Sequence, residues 1–286
     1  EEMIKIIADS TCDLTDEILQ RYDIDILPLY IHLGEKEYKD RLEIQPEDIF
    51  SWSNDNNTTP KTAAPSIEDA VEAMKPYVEK GDEILMFAIS EDMSATANVM
   101  RLAAEHLNYK EHVHVIDSAS LSTGNGLLIV EAAIMAENKV PVKEIVDAIE
   151  ELKPDVRASF VVDTLTYLHR GGRCSATTAL AGSLLKIKPS IIVKDGKMDA
   201  DKKYRGKLNK VILQYVQDME QELQNAKKDR VFITHSGCDR EIVDSVRAYL
   251  ESLEHFGEII ETRAGSVISS HCGPGTLGVL FIAKSS

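Results

Sequence analysis

The sequence lacks the short motifs that mark several common catalytic sites. It has no GxSxG, HExxH or GxxxxGK[ST] pattern, which argues against a nucleophile elbow, a zincin site and a P-loop. Cysteine is scarce, and the four residues lie far apart without a CxxC pair, so we expect reduced thiols and neither a zinc site nor a disulfide framework. No metal and no cofactor are therefore expected. The cysteines are Cys12, Cys174, Cys238 and Cys272.

Long apolar runs and aromatic side chains are also in short supply. No apolar run approaches the roughly 18 residues that span a bilayer, and the apolar start at Ile4 to Ala8 is too short for a signal peptide. Aromatic residues make up 6% of the chain and the net charge is −16, which disfavours nucleic-acid binding. We therefore expect a cytoplasmic globular protein without a transmembrane segment and without a nucleic-acid partner.

The charge is divided unevenly along the 286 residues. Residues 1–155 carry 13 basic and 33 acidic side chains, whereas residues 156–286 carry 19 and 15. Nine basic residues fall within 186–210, which is typical of a solvated hairpin and helix face or of a positive field that steers a phosphate or an acidic partner. At roughly 150 residues per domain, we predict two domains, 1–155 and 156–286.

Hydrophobic periodicity predicts an α/β fold. In the first domain, apolar strands such as Ile84 to Ile89 alternate with helices such as Ile67 to Lys80, which indicates a mostly parallel sheet with helices on both faces. The second domain is predicted as mixed α/β, with a hairpin whose Asp195-Gly196 turn favours type I′ geometry. We expect no regular element over 54–65, one long helix over 206–226, and a loop rich in Gly, Ser and His over 265–278.

Small hydroxyl residues follow three strands of the first domain. Because the carboxyl ends of parallel strands meet at one edge of the sheet, these side chains are expected to lie near one another. Helix N-termini with adjacent hydroxyls favour an anion, so the pattern predicts either helix capping alone or a site for a small anion such as a carboxylate. The three sets are Ser10-Thr11, Ser90 with Ser94 and Thr96, and Ser118 with Ser122 and Thr123.

Several short segments occur together in an order that spans nearly the whole chain. They are Asp9-Ser10-Thr11-Cys12-Asp13-Leu14, Thr62-Ala63-Ala64-Pro65-Ser66, Ser94-Ala95-Thr96, Asp117-Ser118, Leu168-His169-Arg170-Gly171-Gly172-Arg173, GSLLKIKP at 182–189, and His271-Cys272-Gly273-Pro274-Gly275. With these segments the chain resembles the DegV family of bacterial fatty-acid-binding proteins. Each segment alone is weak evidence, but the set is specific.

Three alanines depart from the pattern usual in that family. The family commonly has Thr-Ser-Gln-Pro-Ser where Ala63 and Ala64 stand here, and Ser-Gly-Thr where Ala95 stands. Thr62 and Ser94 are retained. The departures are therefore expected to bear on the preference for particular acyl chains rather than on binding itself.

The resemblance implies a long-chain fatty acid held between the two domains. It implies that Thr62, Ser94 and His271 bind the carboxylate. It further implies a partner, an ATP-dependent fatty acid kinase that converts the presented acid to acyl-phosphate for phospholipid metabolism. Arg170, Arg173 and Arg205 match the residues linked in the family to partner docking or phosphoryl transfer.

The sequence leaves one alternative of a different class. Ser94, with His271 as base, would serve a hydrolase or transferase that acts on a small acyl or anionic substrate. Because no residue set provides a nucleotide site, we expect the chain by itself to be a binding protein rather than an enzyme.

Overall fold

A four-stranded parallel sheet forms the centre of the first half of the chain. The computed structural model describes residues 2–177 and 187–284. The strands of this sheet are β1 (Ile4–Asp9), β2 (Asp25–Leu27), β6 (Glu83–Ala88) and β7 (Val113–Asp117). They lie in the order β2-β1-β6-β7, and all three pairings are parallel.

Helices cover both faces of this sheet. Successive side chains of a strand point to opposite faces, so Ile6 and Ala8 pack with Leu128 in one apolar cluster, whereas Ile7 packs with Met74 in another. The predicted parallel sheet is confirmed. These helices are α1 (Asp16–Arg21), α3 (Ile67–Lys80), α4 (Thr96–His106), α5 (Thr123–Glu137) and α6 (Val142–Leu152). Helix α2 (Pro46–Asn56) packs in a separate cluster with Leu29 and Ile31.

A small antiparallel sheet lies beside the first and was not predicted. Its strands are β3 (Tyr30–Leu33), β4 (Lys36–Lys39) and β5 (Lys61–Ala63), in the order β4-β3-β5. The expectation of an irregular segment over 54–65 is therefore wrong. Strand β5 is only three residues long and its sequence is polar, so it is formed by pairing with β3 rather than by local periodicity.

A mixed sheet forms the centre of the second half of the chain. Its strands are β8 (Val156–Arg157), β9 (Ser159–Val161), β10 (Ile187–Lys194), β11 (Lys197–Arg205), β12 (Arg230–His235), β13 (Glu258–Arg263) and β14 (Leu277–Ile282). They lie in the order β11-β10-β9-β14-β12-β13, with β8 beside β14. The pairing of β12 with β13 is parallel and the others are antiparallel. The predicted hairpin is confirmed, and both turn residues, Asp195 and Gly196, have positive φ as type I′ geometry requires.

Two predictions for the second half are corrected, one of a helix and one of a loop. The helix expected over 206–226 is interrupted at Met219, whose ψ of 6° leaves the helical range, and the segment 265–278 is not a loop because it contains a helix. Residues 178–186, and with them most of the GSLLKIKP segment and Lys186, lie outside the described residues. The helices are α7 (Thr166–Gly171), α8 (Leu208–Asp218), α9 (Glu220–Gln224), α10 (Arg240–Ser252) and α11 (Ser266–Cys272).

The two halves share one apolar core. Leu128 of α5 belongs to the same buried cluster as Phe232 of β12 and Leu280 of β14. The division into domains 1–155 and 156–286 stays a prediction. Within residues 2–177 and 187–284, no helix has the length and apolar content needed to cross a bilayer.

A buried ion cluster also joins the halves. Glu131 of α5 accepts hydrogen bonds from Lys227 at 2.6 Å and from the buried Arg230. Burial alone would raise the pKa of Glu131, but the bonds from Lys227 and Arg230 outweigh it and hold that pKa below its usual value. The carboxylate is therefore stabilised in its charged form.

Glu131→Gln is expected to lower the free energy of unfolding by about 3 kcal/mol, because it leaves buried positive charge without its partner. The contribution of the wild-type carboxylate should be present above the ordinary glutamate pKa and disappear as the pH falls below it. Urea denaturation between pH 3 and pH 7 measures both effects. Glu137→Gln, which breaks an exposed pair with Arg21, is the control and should cost less than about 1 kcal/mol. Equal losses in the two variants would contradict the prediction.

Candidate functional site

The three residues predicted to bind a carboxylate line one cavity. Thr62, Ser94 and His271 line a narrow cavity of about 40 Å³, well below the several hundred Å³ of pockets that enclose a small-molecule ligand. The rest of the lining is mainly apolar. It consists of Leu29, Ala63, Ala64, Ile89, Met93, Leu121, Arg173, Met198, Val267, Ile268 and Cys272.

Thr62 and His271 are in direct contact. Thr62 Oγ1 lies 2.7 Å from His271 Nε2. Strand β5 presents Thr62 opposite the buried Ile31 of β3, and Ile31 packs in the same apolar cluster as Val267 of α11. Packing of the small sheet on α11 therefore brings the two side chains together. His271 lies on a helix, not in the loop that its sequence suggested.

The imidazole of His271 is neutral. Burial, with a smaller effect of the Arg173 guanidinium, lowers the pKa of His271 to about 4. The other ring nitrogen, Nδ1, is buried without a hydrogen-bond partner among the described residues. Because a buried N–H without an acceptor is rarer than a buried acceptor without a donor, we place the proton on Nε2, which then donates to Thr62 Oγ1. The Thr62 hydroxyl is left free to donate to a ligand.

Ser94 lies in the turn that leads from β6 into α4. Its Oγ lies 2.8 Å from Thr96 Oγ1 and accepts from the Thr96 N–H at 3.3 Å. These contacts orient the hydroxyl at the start of α4. Ala95 is exposed and Ala63 and Ala64 line the cavity beside Thr62, so only the latter two departures face the site.

The arginines predicted to face a partner differ in their positions. Arg173 lines the cavity and donates to the carbonyls of Met93 and Gly171. Arg170, in the last turn of α7, and Arg205, at the end of β11, are exposed and do not line that cavity. The structure thus separates Arg173 from the other two, and their roles stay predictions.

Gly171 was not predicted as a site residue. A Cβ at this position would lie 2.5 Å from His271 Nδ1, closer than atoms can approach, so the glycine makes room for the imidazole. The neighbouring Gly172 has φ of +68° and nothing within 4 Å of a Cβ position. The Gly-Gly pair therefore combines a close approach with a left-handed turn.

A second narrow space adjoins the first. Leu121, Ile268 and Cys272 line both, and the second space, of about 30 Å³, extends between Phe160, Ala264 and Leu280. Its lining also includes polar residues, which are Ser122, Ser159, Thr234, His235, Ser236 and Thr276. The sequence did not predict the apolar lining residues, because an apolar residue that lines a cavity has the same sequence pattern as an apolar residue of the core.

Most of the Ser and Thr residues that follow the strands of the first half form hydrogen bonds within the protein. Ser10 bonds to Asp40, Ser90 to the Gly196 carbonyl, and Ser122 to Asp13. Ser118 bonds to the Ser120 carbonyl and Thr123 to Thr234. Of the three hydroxyl sets, only the second contributes to the first cavity, through Ser94.

Gly273, Gly275 and Gly278 have the GxGxxG spacing of a dinucleotide-binding loop. In that loop the glycines follow a strand and open a helix. Here they follow α11 and lead into β14. The spacing therefore does not indicate a dinucleotide site.

Comparison with known proteins identifies the family. The model of the family described as "Uncharacterised protein, DegV family" matches residues 3–284. A DegV domain-containing protein of Caldanaerobacter subterraneus subsp. tengcongensis is 30% identical, over 99% of this chain and 100% of its own. The chain belongs to the DegV family. The resemblance read from the sequence motifs is confirmed.

Solved DegV structures share the fold. The fatty-acid-binding DegV family protein of Thermus thermophilus has a TM-score of 0.91 at 30% identity, covering 99% of this chain and 100% of its own. A stearic acid-binding protein of Eubacterium ventriosum has a TM-score of 0.86 at 28% identity, covering 99% of each chain. The α/β fold class is confirmed.

Gly171→Ala is expected to lower the free energy of unfolding by about 1–3 kcal/mol, because the added methyl overpacks the His271 ring. Urea denaturation measures the loss. In Gly172→Asn the side chain enters open space and asparagine tolerates positive φ, so this control should stay within about 0.5 kcal/mol of the wild type. A larger loss in the control than in Gly171→Ala would contradict the packing described.

Proposed function

We propose that this protein binds a long-chain fatty acid, with the carboxylate at Thr62, Ser94 and His271 and the acyl chain in the adjoining spaces. The observation that carries the proposal is the combination of one polar end, built on the 2.7 Å contact of Thr62 with His271, and a lining that is otherwise mainly apolar. Fatty-acid binding by the solved DegV relatives supports it.

The acyl chain supplies most of the affinity in this proposal. Burying about 16 carbons at roughly 0.8 kcal/mol per CH₂ contributes on the order of 10–13 kcal/mol, from which association and ordering of the chain subtract a large part. Leu121, Ile268 and Cys272, which separate the two spaces, are the side chains that the acyl chain must pass. The occupied protein is therefore expected to have one continuous channel.

The polar end decides the orientation of the ligand. A carboxylate without hydrogen bonds inside the protein would cost several kcal/mol. The Thr62 and Ser94 hydroxyls donate to it, while the neutral His271 fixes the Thr62 hydroxyl through Nε2–H. Arg173, an exposed residue of the cavity lining, adds positive charge that favours the ionised acid.

Thr62→Val is expected to weaken fatty-acid binding by about 10- to 150-fold, since a lost hydrogen bond to a charged group costs about 1.5–3 kcal/mol. Ser94→Ala should have a similar effect. Displacement of a fluorescent fatty acid and native mass spectrometry of the purified protein measure binding. Thr58→Val, at an exposed threonine of the same segment, is the matched control. Unchanged affinity in both site variants would refute the proposed headgroup site.

We further propose that the protein presents this carboxylate to a separate ATP-dependent fatty acid kinase. Three features support a partner: Arg173 is an exposed residue of the cavity lining, Arg170 is exposed on α7, and β11 is an exposed basic edge strand that ends at Arg205. Positive charge there complements an acidic docking surface or a developing phosphoryl group.

Arg170→Ala and Arg205→Ala should leave fatty-acid binding unchanged while abolishing acyl-phosphate formation in the presence of a kinase. Both side chains lie outside the cavity lining, so their loss removes docking charge without altering the pocket. Binding and kinase-dependent ATP consumption are measured on the same preparations. Lys143→Ala, an exposed change on α6, is the control. Loss of lipid binding in either arginine variant would refute the partner-facing assignment.

The alternative of a Ser94 hydrolase gains no support from the geometry. His271 Nε2 bonds to Thr62, and Ser94 bonds to Thr96, so the base does not contact the proposed nucleophile. A His271 pKa of about 4 also makes the ring a weak base at neutral pH. An esterase activity lost in Ser94→Ala would restore this alternative.

A further inference from the structure

Helix α11, which carries His271, is capped by residues of the other half of the chain. Its N-cap residue is Gly265, which has no side chain to cap the helix. The Gly265 N–H donates to Asp13 Oδ1 at 2.9 Å, and the Ser266 N–H donates to Asp40 Oδ1 at 3.1 Å. Two carboxyl groups distant in sequence thus hold the start of the helix.

Asp13 joins this helix to the wall of the cavity. Its second oxygen, Oδ2, accepts from Ser122 Oγ at 2.5 Å, and Ser122 follows Leu121, which lines both spaces. Asp13 and Ser122 both have positive φ, 53° and 51°. Such backbone costs of order 1–3 kcal/mol in a residue other than glycine and persists only where the surroundings impose it.

Asp40 makes the corresponding connection on the other side. Its Oδ2 accepts from Ser10 Oγ at 2.7 Å, and Ser10 Oγ accepts from the Leu29 N–H at 3.0 Å. Leu29 lines the first cavity. Asp13 and Asp40 are both fully buried, so each contact is shielded from competition by water.

We propose that Asp13 and Asp40 are positioning residues that hold α11 so that His271 meets Thr62. His271 lies five residues beyond Ser266, about 8 Å along the helix, so a shift or tilt of the helix start moves the imidazole relative to β5. This inference rests on the proposed function, because the Thr62–His271 hydrogen bond orients the Thr62 hydroxyl that is proposed to bind the ligand.

Asparagine at position 13 is a nearly isosteric replacement that tests the proposal, because Asp13 is largely protonated at pH 7. Burial, with a smaller effect of the nearby Asp40, raises the pKa of Asp13 to about 8, so at pH 7 the neutral acid prevails, and in that form Oδ2–H donates to Ser122 Oγ, the reverse of the bond that the ionised form accepts. Asparagine has the same shape: its Oδ1 accepts from the Gly265 N–H and its Nδ2–H₂ donates to Ser122 Oγ. Alanine keeps neither bond.

The first test uses lipid-free protein with ¹⁵N-labelled histidine. The Nε2–H resonance of His271, assigned by its absence in His271→Gln, should be protected from solvent exchange in the wild type and in Asp13→Asn. It should lose that protection at least tenfold in Asp13→Ala and in Asp40→Ala. Glu131→Gln, which breaks another buried carboxylate contact between the halves, should leave it unchanged. Full protection in both alanine variants would overturn the proposal.

The second test measures fatty-acid dissociation constants in a double-mutant cycle. Asp13→Ala should raise the constant at least tenfold in the wild-type background and less than threefold in His271→Gln, because its effect passes through the imidazole. Equal losses in the two backgrounds would indicate a general structural role and overturn the proposal. If Asp13→Ala does not fold, Ser122→Ala, which removes the partner of Oδ2, takes its place in both tests. Absence of fatty-acid binding in the wild type would refute the proposed function, while the first test would still decide the positioning role.

Discussion

The contact between Thr62 and His271 joins residues 209 positions apart, and the cavity depends on it. Thr62 reaches this position only because β5 adds to β3, and His271 because α11 packs against the same small sheet. Neither element has strong local signals of its own. The polar end of the cavity is therefore a product of tertiary packing between the halves, and it exists only when both are folded together.

Local sequence signals were sufficient to predict a helix or strand that has its own start and stop residues. Helix α3 spans Ile67–Lys80, as expected from the sequence, and lies between the capping Ser66 and the C-cap residue Gly81. Strand β5 and helix α11 lack such signals: one is a three-residue polar strand, and the other has a glycine N-cap and a run of small polar residues. Pairing with β3 and capping by Asp13 and Asp40 form them, and none of these partners is near in sequence.

The same distinction explains what was predicted of the site. Thr62, Ser94 and His271 were found through short motifs and share one cavity. The apolar lining was not found, because Leu121 and Ile268 have the composition of ordinary core residues. The hydroxyls at the strand ends show the opposite case: Ser10 and Ser122 stand where a ligand site was expected, yet they bond to Asp40 and Asp13. A hydroxyl at a strand end thus indicates a hydrogen-bonded polar contact. Whether its partner is a ligand or another side chain depends on the fold.

A neutral imidazole suits a binding site better than a catalytic one. A charged histidine would attract the carboxylate more strongly, but burial beside Arg173 disfavours that charge and keeps the pKa near 4. In the proposed complex the acyl chain provides most of the affinity, so the headgroup contacts need only orient the acid and leave it accessible. A more tightly paired carboxylate would be a weaker nucleophile towards a phosphoryl donor, because each hydrogen bond stabilises its negative charge. Two hydroxyls and an uncharged ring are therefore consistent with the proposal that the protein holds a fatty acid for a reaction completed by a separate kinase.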